Sequence, residues 1–283
     1  MQDCVAIEKH NYINHLVMKK DGLDISRYDK FFLNKSVERR MLATNCSSST
    51  DYSKLIEQSC VERHLFFDSL HVGYSEFFRN PLTFAVLEQI ILPSLIIKNK
   101  NSSRKEMRIW SSACASGQEA YSVAILVNEQ KKNFPQIDFR IFGTDKSEIE
   151  VKSAQKGAYP IASLNNLTMK RVDEWFDKAD NIYTVKPELK KSVDFSVFDL
   201  FNEQLNSPPV SIYGDFDIIF CANLLFYYQD KYREFIIKKI SKCLCAGGVL
   251  ITGEAEREIL ISYNYHEIFP QSAIFQLNAG RRK

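Results

Sequence analysis

The sequence predicts an α/β protein in which a small helical region precedes a doubly wound sheet. Three observations lead to this prediction. A short apolar strand, Arg108-Ile109-Trp110, runs into seven small residues and then into a helical stripe that includes Tyr121. A second strand, Phe139–Asp145, ends in a carboxylate, and further strands and helices alternate after it, as in parallel sheets. Residues 5 to about 70, in contrast, carry only helical patterns.

The composition is that of an ordinary globular chain. The 283 residues are 45% hydrophobic and 25% charged, and the formal net charge is +2. Such a weak charge predicts no general attraction to nucleic acid or to a membrane surface. Residues 1–70 hold ten basic and ten acidic side chains, so no basic arm is expected there. Seven scattered cysteines and five histidines without ligand spacing predict a reducing, cytoplasmic compartment and no metal site.

No targeting segment is evident in the sequence. The N-terminus lacks the apolar core of a signal peptide. No stretch approaches the roughly 18 apolar residues that a membrane span needs, so no membrane insertion is expected.

The order of elements predicts two domains, residues 1–72 and 73–283. In the first, Asp51 is expected to cap a helix whose apolar stripe continues to Leu70. In the second, Asn80-Pro81 is expected to start a helix, with Asn as the cap. Polar, irregular residues 161–192 predict a small β subdomain. Further strands are expected at Val193–Phe198, Phe216–Cys221 and Ala273–Leu277.

The small-residue turn after the first strand is a candidate ligand site. Small side chains let the backbone approach a ligand, and the helix that follows presents its N-terminal N–H groups. An ordinary tight turn explains these residues equally well, because only Gly117 is a glycine. Asp145 stands where nucleotide-binding folds contact ribose hydroxyls. The segment Leu244–Ile251 resembles the "LxPGGxL" turn of S-adenosylmethionine (SAM) methyltransferases, which favours SAM over a nicotinamide nucleotide.

Four motifs in order resemble those of the CheR-type chemotaxis receptor methyltransferases, which are protein-glutamate O-methyltransferases. Gly73–Arg79 resembles the family motif Asn-x-Thr-x-Phe-Phe-Arg. Trp110–Ser122 is similar to "WSAxCSxGEEPYSxA", and Thr144–Tyr159 is similar to the segment that follows the ribose-binding aspartate. Phe220–Tyr228 resembles "FCRNVLIYF". The resemblance covers nearly the whole chain.

The resemblance implies a helical N-terminal domain joined to a class I, Rossmann-like SAM-methyltransferase domain that carries a β subdomain. It implies methyl transfer from SAM to glutamate side chains on the cytoplasmic helices of chemoreceptors, with S-adenosylhomocysteine as the product. The implied protein is a cytoplasmic monomer whose partner is the receptor's cytoplasmic domain.

The resemblance also implies site residues. Glu119 matches the residue that binds the methionine ammonium group, and Asp145 matches the ribose ligand. Arg79 and Tyr227 match residues of the reacting centre, although an aromatic packed at a strand end also explains Tyr227. The full set of implied cofactor-binding residues is Gly73, Ser75, Arg79, Glu119, Asp145, Asp199, Leu200, Ala222 and Asn223.

Some residues depart from the family pattern. Gly73 replaces an asparagine, so any contact there is expected from the backbone. Asp199 replaces an asparagine, Ala222 replaces an arginine, and Glu254-Ala255 replaces His-Ser. Together with the neutral N-terminal region, these departures leave two alternatives open. One is a non-catalytic regulator that binds SAM or S-adenosylhomocysteine, and the other is a methyltransferase acting on another protein or a small molecule.

Overall fold

The chain divides into two compact units. The computed structural model describes residues 13, 15–21, 24–70, 73–100, 106–136, 138–211 and 214–278. The first unit comprises Met1–Val72 and Phe226–Arg233, and the second comprises Gly73–Leu225 and Glu234–Lys283. The sequence did not predict that Phe226–Arg233 belongs with the first unit. The outer limits of the two predicted domains lie outside the described residues, and the predicted division into domains stays a prediction.

The described part of the first unit is helical. Residues 15–21 are helical, and they are followed by α1 Lys30–Ala43, α2 Ser49–Gln58 and α3 Cys60–Ser69. Ser48 caps α2 by accepting the Asp51 N–H, so the prediction of Asp51 as the cap was wrong. Ser59 ends α2 and caps α3, so the continuous apolar stripe spans two helices rather than one.

A buried ion pair joins the three helices of the first unit. The Arg40 guanidinium donates to both carboxylate oxygens of Glu62, at 2.9 and 2.6 Å. The Tyr52 hydroxyl donates to Glu62 Oε1 at 2.9 Å. Burial, followed by the hydrogen bond to Glu62, raises the pKa of Tyr52 well above its usual range. Because Arg40 and Tyr52 both donate hydrogen bonds to the Glu62 carboxylate, the network fixes how α1, α2 and α3 pack.

Strands and helices alternate along the second unit. Its strands are β1 Glu106–Ser111, β2 Asp138–Asp145, β3 Ala158–Pro160, β4 Phe176–Ala179, β5 Ile182–Val185, β6 Val193–Val197, β7 Phe216–Phe220, β8 Leu244–Ile251, β9 Tyr265–Glu267 and β10 Ile274–Leu277. The helices are α4 Pro81–Val86, α5 Leu92–Lys100, α6 Gln118–Lys131, α7 Glu148–Lys156, α8 Met169–Trp175, α9 Pro187–Lys190, α10 Asp230–Cys243 and α11 Arg257–Ser262. The first residues of α10 belong to the first unit. Short 3₁₀ turns span Ile161–Leu164, Leu225–Tyr227 and Glu254–Glu256.

A seven-stranded sheet forms the centre of the second unit, in the order β6-β2-β1-β7-β8-β10-β9. The first five of these strands pair in parallel, and β10 pairs antiparallel with both β8 and β9. Every residue of β7 is buried, as expected for a strand that helices cover on both faces. The strand order reverses between β1 and β7, which is the switch point of a doubly wound sheet. The predicted α/β fold class is therefore confirmed.

The glycine pair after α10 lies within a strand. The sequence predicted a turn at this place, whereas Leu244–Ile251 forms β8. Its pairing with β7 is irregular between Phe216 and Ile218, and Gly247 has a φ of 74°. A Cβ on Gly248 would lie 2.9 Å from the Phe216 carbonyl oxygen, so glycine permits the close approach of the two strands.

The helix before β1 is longer and more apolar than the sequence analysis allowed. A π-helical turn, Leu87–Ile91, joins α4 to α5, and the Leu92 N–H bonds the Leu87 carbonyl. By length and composition, Pro81–Asn99 could cross a membrane, with 19 residues and a mean hydropathy of 1.5. Residues such as Leu92 are part of the core beside the sheet, so packing accounts for much of this hydrophobicity. Pro81 opens the helix as predicted, but Asn80 makes no side-chain cap.

A second, three-stranded antiparallel sheet has the order β3-β5-β4. It begins at Ala158, so the β subdomain starts slightly before the predicted residue 161. Arg171 on α8 pairs with Glu88 at 2.9 Å and with Glu129 at 2.7 Å, and its guanidinium lies 4.6 Å from the centre of the Phe78 ring. These contacts attach the subdomain to the helices that cover the larger sheet.

Candidate functional site

Four groups of predicted site residues follow the carboxyl ends of four neighbouring strands. Glu119 comes after β1, in the first turn of α6, and Asp145 is the last residue of β2. Asp199 and Leu200 follow β6, and Ala222-Asn223 follows β7. Because parallel strands end at the same edge of a sheet, these residues share one edge, and it includes the switch point. Ligands of doubly wound sheets bind at this position.

The turn between β1 and α6 is held against both neighbouring strands. The Ser112 N–H donates to the Phe220 carbonyl on β7, and the Cys114 N–H donates to the Thr144 carbonyl on β2, both at 2.9 Å. Ala115 and Gly117 have positive φ angles of 44° and 95°. The turn therefore has a fixed backbone and short side chains, as a cradle for a bulky nucleoside requires.

Glu119 carries an acidic group in a partly enclosed position. The Ser111 hydroxyl donates to its Oε1 at 2.6 Å. Burial raises the pKa of Glu119 to about 7, and the charge of Glu256 acts in the same direction, while the Ser111 hydrogen bond and the Arg79 charge oppose them. A cation bound next to Glu119 would stabilise its ionised form, so the group suits a ligand's ammonium.

Asp145 is oriented by main-chain donors from two elements. Its Oδ2 accepts the Ala115 N–H at 3.0 Å, and its Oδ1 accepts the Ser147 N–H at 2.9 Å. Burial raises the pKa of Asp145 in spite of these hydrogen bonds. A carboxylate oxygen can accept more than one hydrogen bond, so both oxygens keep capacity for the hydroxyls of a ligand.

The end of β6 lies next to Asp145, because the Phe198 N–H donates to the Asp145 carbonyl at 2.9 Å. The next residue, Asp199, is exposed, and its side chain accepts the Phe201 N–H at 2.8 Å. Leu200 is buried, and its carbonyl accepts a hydrogen bond of 2.9 Å from the Lys239 ammonium. Asp199 and Leu200 thus have fixed positions beside the proposed nucleoside site.

Glu256 holds the turn that carries Ala222 and Asn223. Its carboxylate is fully buried and accepts the Asn223 N–H at 2.8 Å. Four further donors bind this carboxylate, namely the main-chain N–H groups of Leu224, Leu225 and Gly253 and the hydroxyl of Thr252. Asn223 has a φ of 58°, which these bonds help to maintain. Glu256 was not predicted from the sequence, although an acidic residue soon after a strand end, close to Glu254, was an available signal.

The segment Gly73–Asn80 brings Arg79 to the same site. Phe77 and Phe78 are buried, and the Phe78 N–H donates to the Ser122 hydroxyl on α6 at 2.9 Å. The Arg79 guanidinium stacks 5.3 Å from the centre of the Tyr74 ring. Its charge lowers the pKa of Glu119, so the two side chains are close enough to interact. Ser75 lies half-buried on this segment.

Gly73 lies against the side chain of Glu150. A Cβ at Gly73 would lie 2.9 Å from Glu150 Cδ and would collide with Oε1. The space over Gly73 is therefore filled by a carboxylate, whereas the sequence predicted that only the backbone would be available there. No motif pointed to Glu150.

Tyr227 belongs to the first unit. Its ring lies 4.7 Å from that of Phe32, and its carbonyl accepts the Asp29 N–H at 2.8 Å. The neighbouring Tyr228 stacks on Tyr28 at 5.3 Å. The structure thus groups Tyr227 with an aromatic cluster, and its contact with a substrate stays a prediction.

Within the described residues, one group of side chains has the composition of a metal site. Asp21, Cys60 and His64 in the first unit place one ligand atom each within 4.8 Å of one another. Arg63, however, already forms a two-pronged ion pair with Asp21. The His64 Nδ1 also bonds the Cys60 carbonyl, at 2.9 Å. Asp21 and His64 therefore already have ion-pair or hydrogen-bond partners within the protein, without a metal ion.

Comparison with known proteins agrees with this geometry. The family described as CheR methyltransferase, SAM binding domain matches residues 74–270. A "Chemotaxis protein methyltransferase" of Borreliella burgdorferi is 29% identical over 245 residues, which is 85% of each chain. "Chemotaxis protein methyltransferase 1" of Pseudomonas aeruginosa is 32% identical over 199 residues, which is 69% of each chain. "Chemotaxis protein methyltransferase 2" of Vibrio cholerae is 27% identical and covers 88% of this chain and 85% of its own.

The family match spans most of the second unit, including the four strand ends, Glu119 and Asp145. The edge of the sheet predicted to bind a nucleoside is thus the edge of a domain whose family is defined by SAM binding. The chain belongs to the CheR methyltransferase family and is a SAM-dependent methyltransferase.

Proposed function

We propose that the protein methylates glutamate side chains on the cytoplasmic helices of chemoreceptors and that SAM is held between Glu119 and Asp145. The observation that carries the proposal is the pair of partly buried carboxylates on either side of a small-residue turn, in a chain of the CheR family. The names of its relatives support a role in chemotaxis.

The residues at this edge fit SAM by their chemistry. SAM presents an ammonium, two ribose hydroxyls and an apolar base, and it supplies a methyl group bound to a cationic sulfur. Glu119 would pair with the ammonium, and Asp145 would accept the ribose hydroxyls. Asp199, Leu200, Ala222 and Asn223 would line the nucleoside, and Gly73, Ser75 and Arg79 would lie along the other side.

The protein would act mainly by alignment. A glutamate side chain is already ionised at neutral pH, so no strong general base is needed to make it nucleophilic. The new bond joins a carboxylate oxygen to the methyl carbon, and the electron pair of the broken bond stays on sulfur. Residues of the site must therefore hold oxygen, carbon and sulfur in line, at contacts of about 3–3.5 Å.

Arg79 is proposed to steer the substrate carboxylate into that line. Its ring contact with Tyr74 leaves the guanidinium with a preferred direction. A pair that is too tight would stabilise the ground state and slow the transfer, so steering without a fixed two-pronged pair is expected. Tyr227 is proposed to contact the substrate through its hydroxyl.

Two observations support a second candidate function. Ala222 stands where the family motif has an arginine, and residues 1–70 have no excess of basic side chains. A SAM-dependent methyltransferase that acts on another protein or on a small molecule would tolerate both features.

Methyl labelling tests the two functions against each other. The full-length protein is incubated with radiolabelled SAM and the cytoplasmic fragment of a chemoreceptor from the same cell. We expect base-labile label on the receptor, and none with receptor glutamates replaced by alanine. Label on a different protein or on a small molecule, and none on the receptor, would support the second function. SAM binding without label on any of them would contradict both.

A further inference from the structure

The absence of a side chain at Gly73 has a specific structural consequence. The Glu150 carboxylate rests on the Gly73 main chain, where even a methyl group would collide with Oε1. The Glu150 side chain is a flexible group, so a residue larger than glycine at position 73 would push it away rather than break the fold. Gly73 therefore permits the position that Glu150 adopts.

Glu150 has a carboxylate without an internal role. It lies in the first turn of α7, just after β2, and its main-chain N–H bonds the Ser147 hydroxyl that caps the helix. The side chain is half-buried, and no residue that the structure describes donates a hydrogen bond to its carboxylate. Burial raises the pKa of Glu150, and the charge of Asp145 raises it further. Such a group at the edge of a binding site can accept hydrogen bonds from a ligand.

The position of Glu150 indicates which part of SAM it faces. Glu150 lies in the first turn of α7, the helix that follows the strand ended by Asp145, whereas Glu119 lies in the first turn of α6, after β1. The charge of Asp145 accordingly acts on Glu150. Glu150 therefore lies on the Asp145 side of the cradle, away from the proposed ammonium position. The donors on that side are the two ribose hydroxyls.

We propose that Glu150 is a second ribose ligand that shares the two hydroxyls with Asp145 and that Gly73 keeps its carboxylate in place. This inference rests on the proposed SAM site at the carboxyl edge of the sheet. It assigns Glu150 to SAM binding and Gly73 to the positioning of Glu150. It predicts that residues 73 and 150 act as one unit, so that disturbing either gives the same defect.

Calorimetric titration with S-adenosylhomocysteine and with methylthioadenosine tests this assignment without relying on turnover. Methylthioadenosine keeps the ribose but lacks the ammonium. We expect Glu150→Ala to lower the affinity for both ligands about tenfold, since one charge-assisted hydrogen bond is lost. Glu150→Gln should lower the affinity less, because an acceptor oxygen remains. Glu119→Gln should lower the affinity for S-adenosylhomocysteine and leave the affinity for methylthioadenosine unchanged.

A double-mutant cycle tests the coupling between the two positions. Gly73→Ala should lower ligand affinity as much as Glu150→Ala does. The double variant should bind the ligands no more weakly than either single variant. Glu148→Gln is the matched control, because Glu148 is an exposed acid of the same helix turn, paired with Lys152. Thermal unfolding of every variant establishes that it is folded.

Three outcomes would overturn the assignment. Unchanged affinity in a folded Glu150→Ala variant would remove Glu150 from the site. A loss confined to S-adenosylhomocysteine would place Glu150 at the amino-acid end of the ligand instead of the ribose. Additive losses from Gly73→Ala and Glu150→Ala would refute their coupling. If the wild-type protein bound neither ligand, the proposed SAM site itself would fail, which is a different result from any of these.

Discussion

Glu119 is a group whose ionisation is set by its surroundings. Burial and the Glu256 charge raise its pKa to about 7, against the opposing effects of Ser111 and Arg79. In the free protein, the group is therefore mostly neutral at pH 6 and half ionised near pH 7. The α-amino group of SAM remains protonated over this range, because its usual pKa is about 7.7 or higher.

SAM affinity should consequently rise with pH. A ligand ammonium binds the ionised form of Glu119, and the ionised fraction grows about fivefold between pH 6 and pH 7. We expect an increase of similar size in the association constant measured by calorimetry. Glu119→Gln should bind SAM weakly and lose most of the pH dependence. A wild-type affinity that is flat or falls over this interval would contradict the pairing of Glu119 with the ammonium.

Asp145 should contribute most to nucleoside binding. Asp145→Ala removes the acceptor for the ribose hydroxyls and also frees the Ala115 and Ser147 N–H groups. We expect SAM affinity to fall at least about tenfold, as for the loss of a charge-assisted hydrogen bond. Asp145→Asn should be less severe. Equal affinity of wild type and Asp145→Ala in calorimetry would refute the placement of the ribose.

Arg79 should matter more for turnover than for SAM binding. Its charge acts on Glu119 only weakly compared with burial, while its place beside Tyr74 suits the steering of a substrate carboxylate. For Arg79→Ala we expect a large fall in the rate of methyl transfer and a small change in the SAM dissociation constant. The opposite pattern would make Arg79 a cofactor anchor.

At the scale of elements, the turn after β7 depends on one buried side chain. Glu256 accepts hydrogen bonds from both the β7 turn and the β8 end, and it is fully buried. Glu256→Gln places an amide nitrogen among donors that need an acceptor. We expect the free energy of unfolding to fall by roughly 2–4 kcal/mol, measured by urea denaturation.

Glu254→Gln is the control for this effect, since Glu254 is an exposed acidic residue of the same 3₁₀ turn. It should leave the unfolding free energy nearly unchanged. If the two variants were equally stable, the buried carboxylate would not be what holds the turn.

Helices and strands were predictable from the sequence wherever burial determines the pattern of apolar residues. The strand β7 was predictable because a strand buried on both faces has a continuous apolar sequence. The cap of α2 and the strand conformation at the glycines of β8 were not predictable, because each depends on local main-chain geometry that several sequences satisfy. Ser48 and Asp51 are both good caps, and only the positions of the N–H groups decide between them.

The candidate site was predictable in part for a similar reason. Asp145 and Glu119 follow strands, so the end of each strand gave their location. Glu150 and Glu256 act through contacts with residues distant in sequence, and neither periodicity nor spacing reports such contacts. The grouping of Tyr227 with Phe32 is of the same kind.

For the molecule as a whole, the family match gives the enzyme class, and the strand order gives the doubly wound sheet that carries the proposed site. The order β6-β2-β1-β7-β8-β10-β9 places the switch point between β1, which precedes Glu119, and β7, which precedes Asn223. The chain's own departures, Gly73 and Ala222, leave this architecture intact and alter side chains of the proposed cofactor site. They are therefore expected to change affinity and substrate preference rather than the fold.

A crystal structure of the protein grown with S-adenosylhomocysteine tests the proposed SAM site most directly. We expect the ribose hydroxyls within hydrogen-bond distance of Asp145, with the ligand's amino group at Glu119 and its chain along the turn after β1. A ligand bound elsewhere, or bound at this edge with both carboxylates turned away from it, would refute the proposed site.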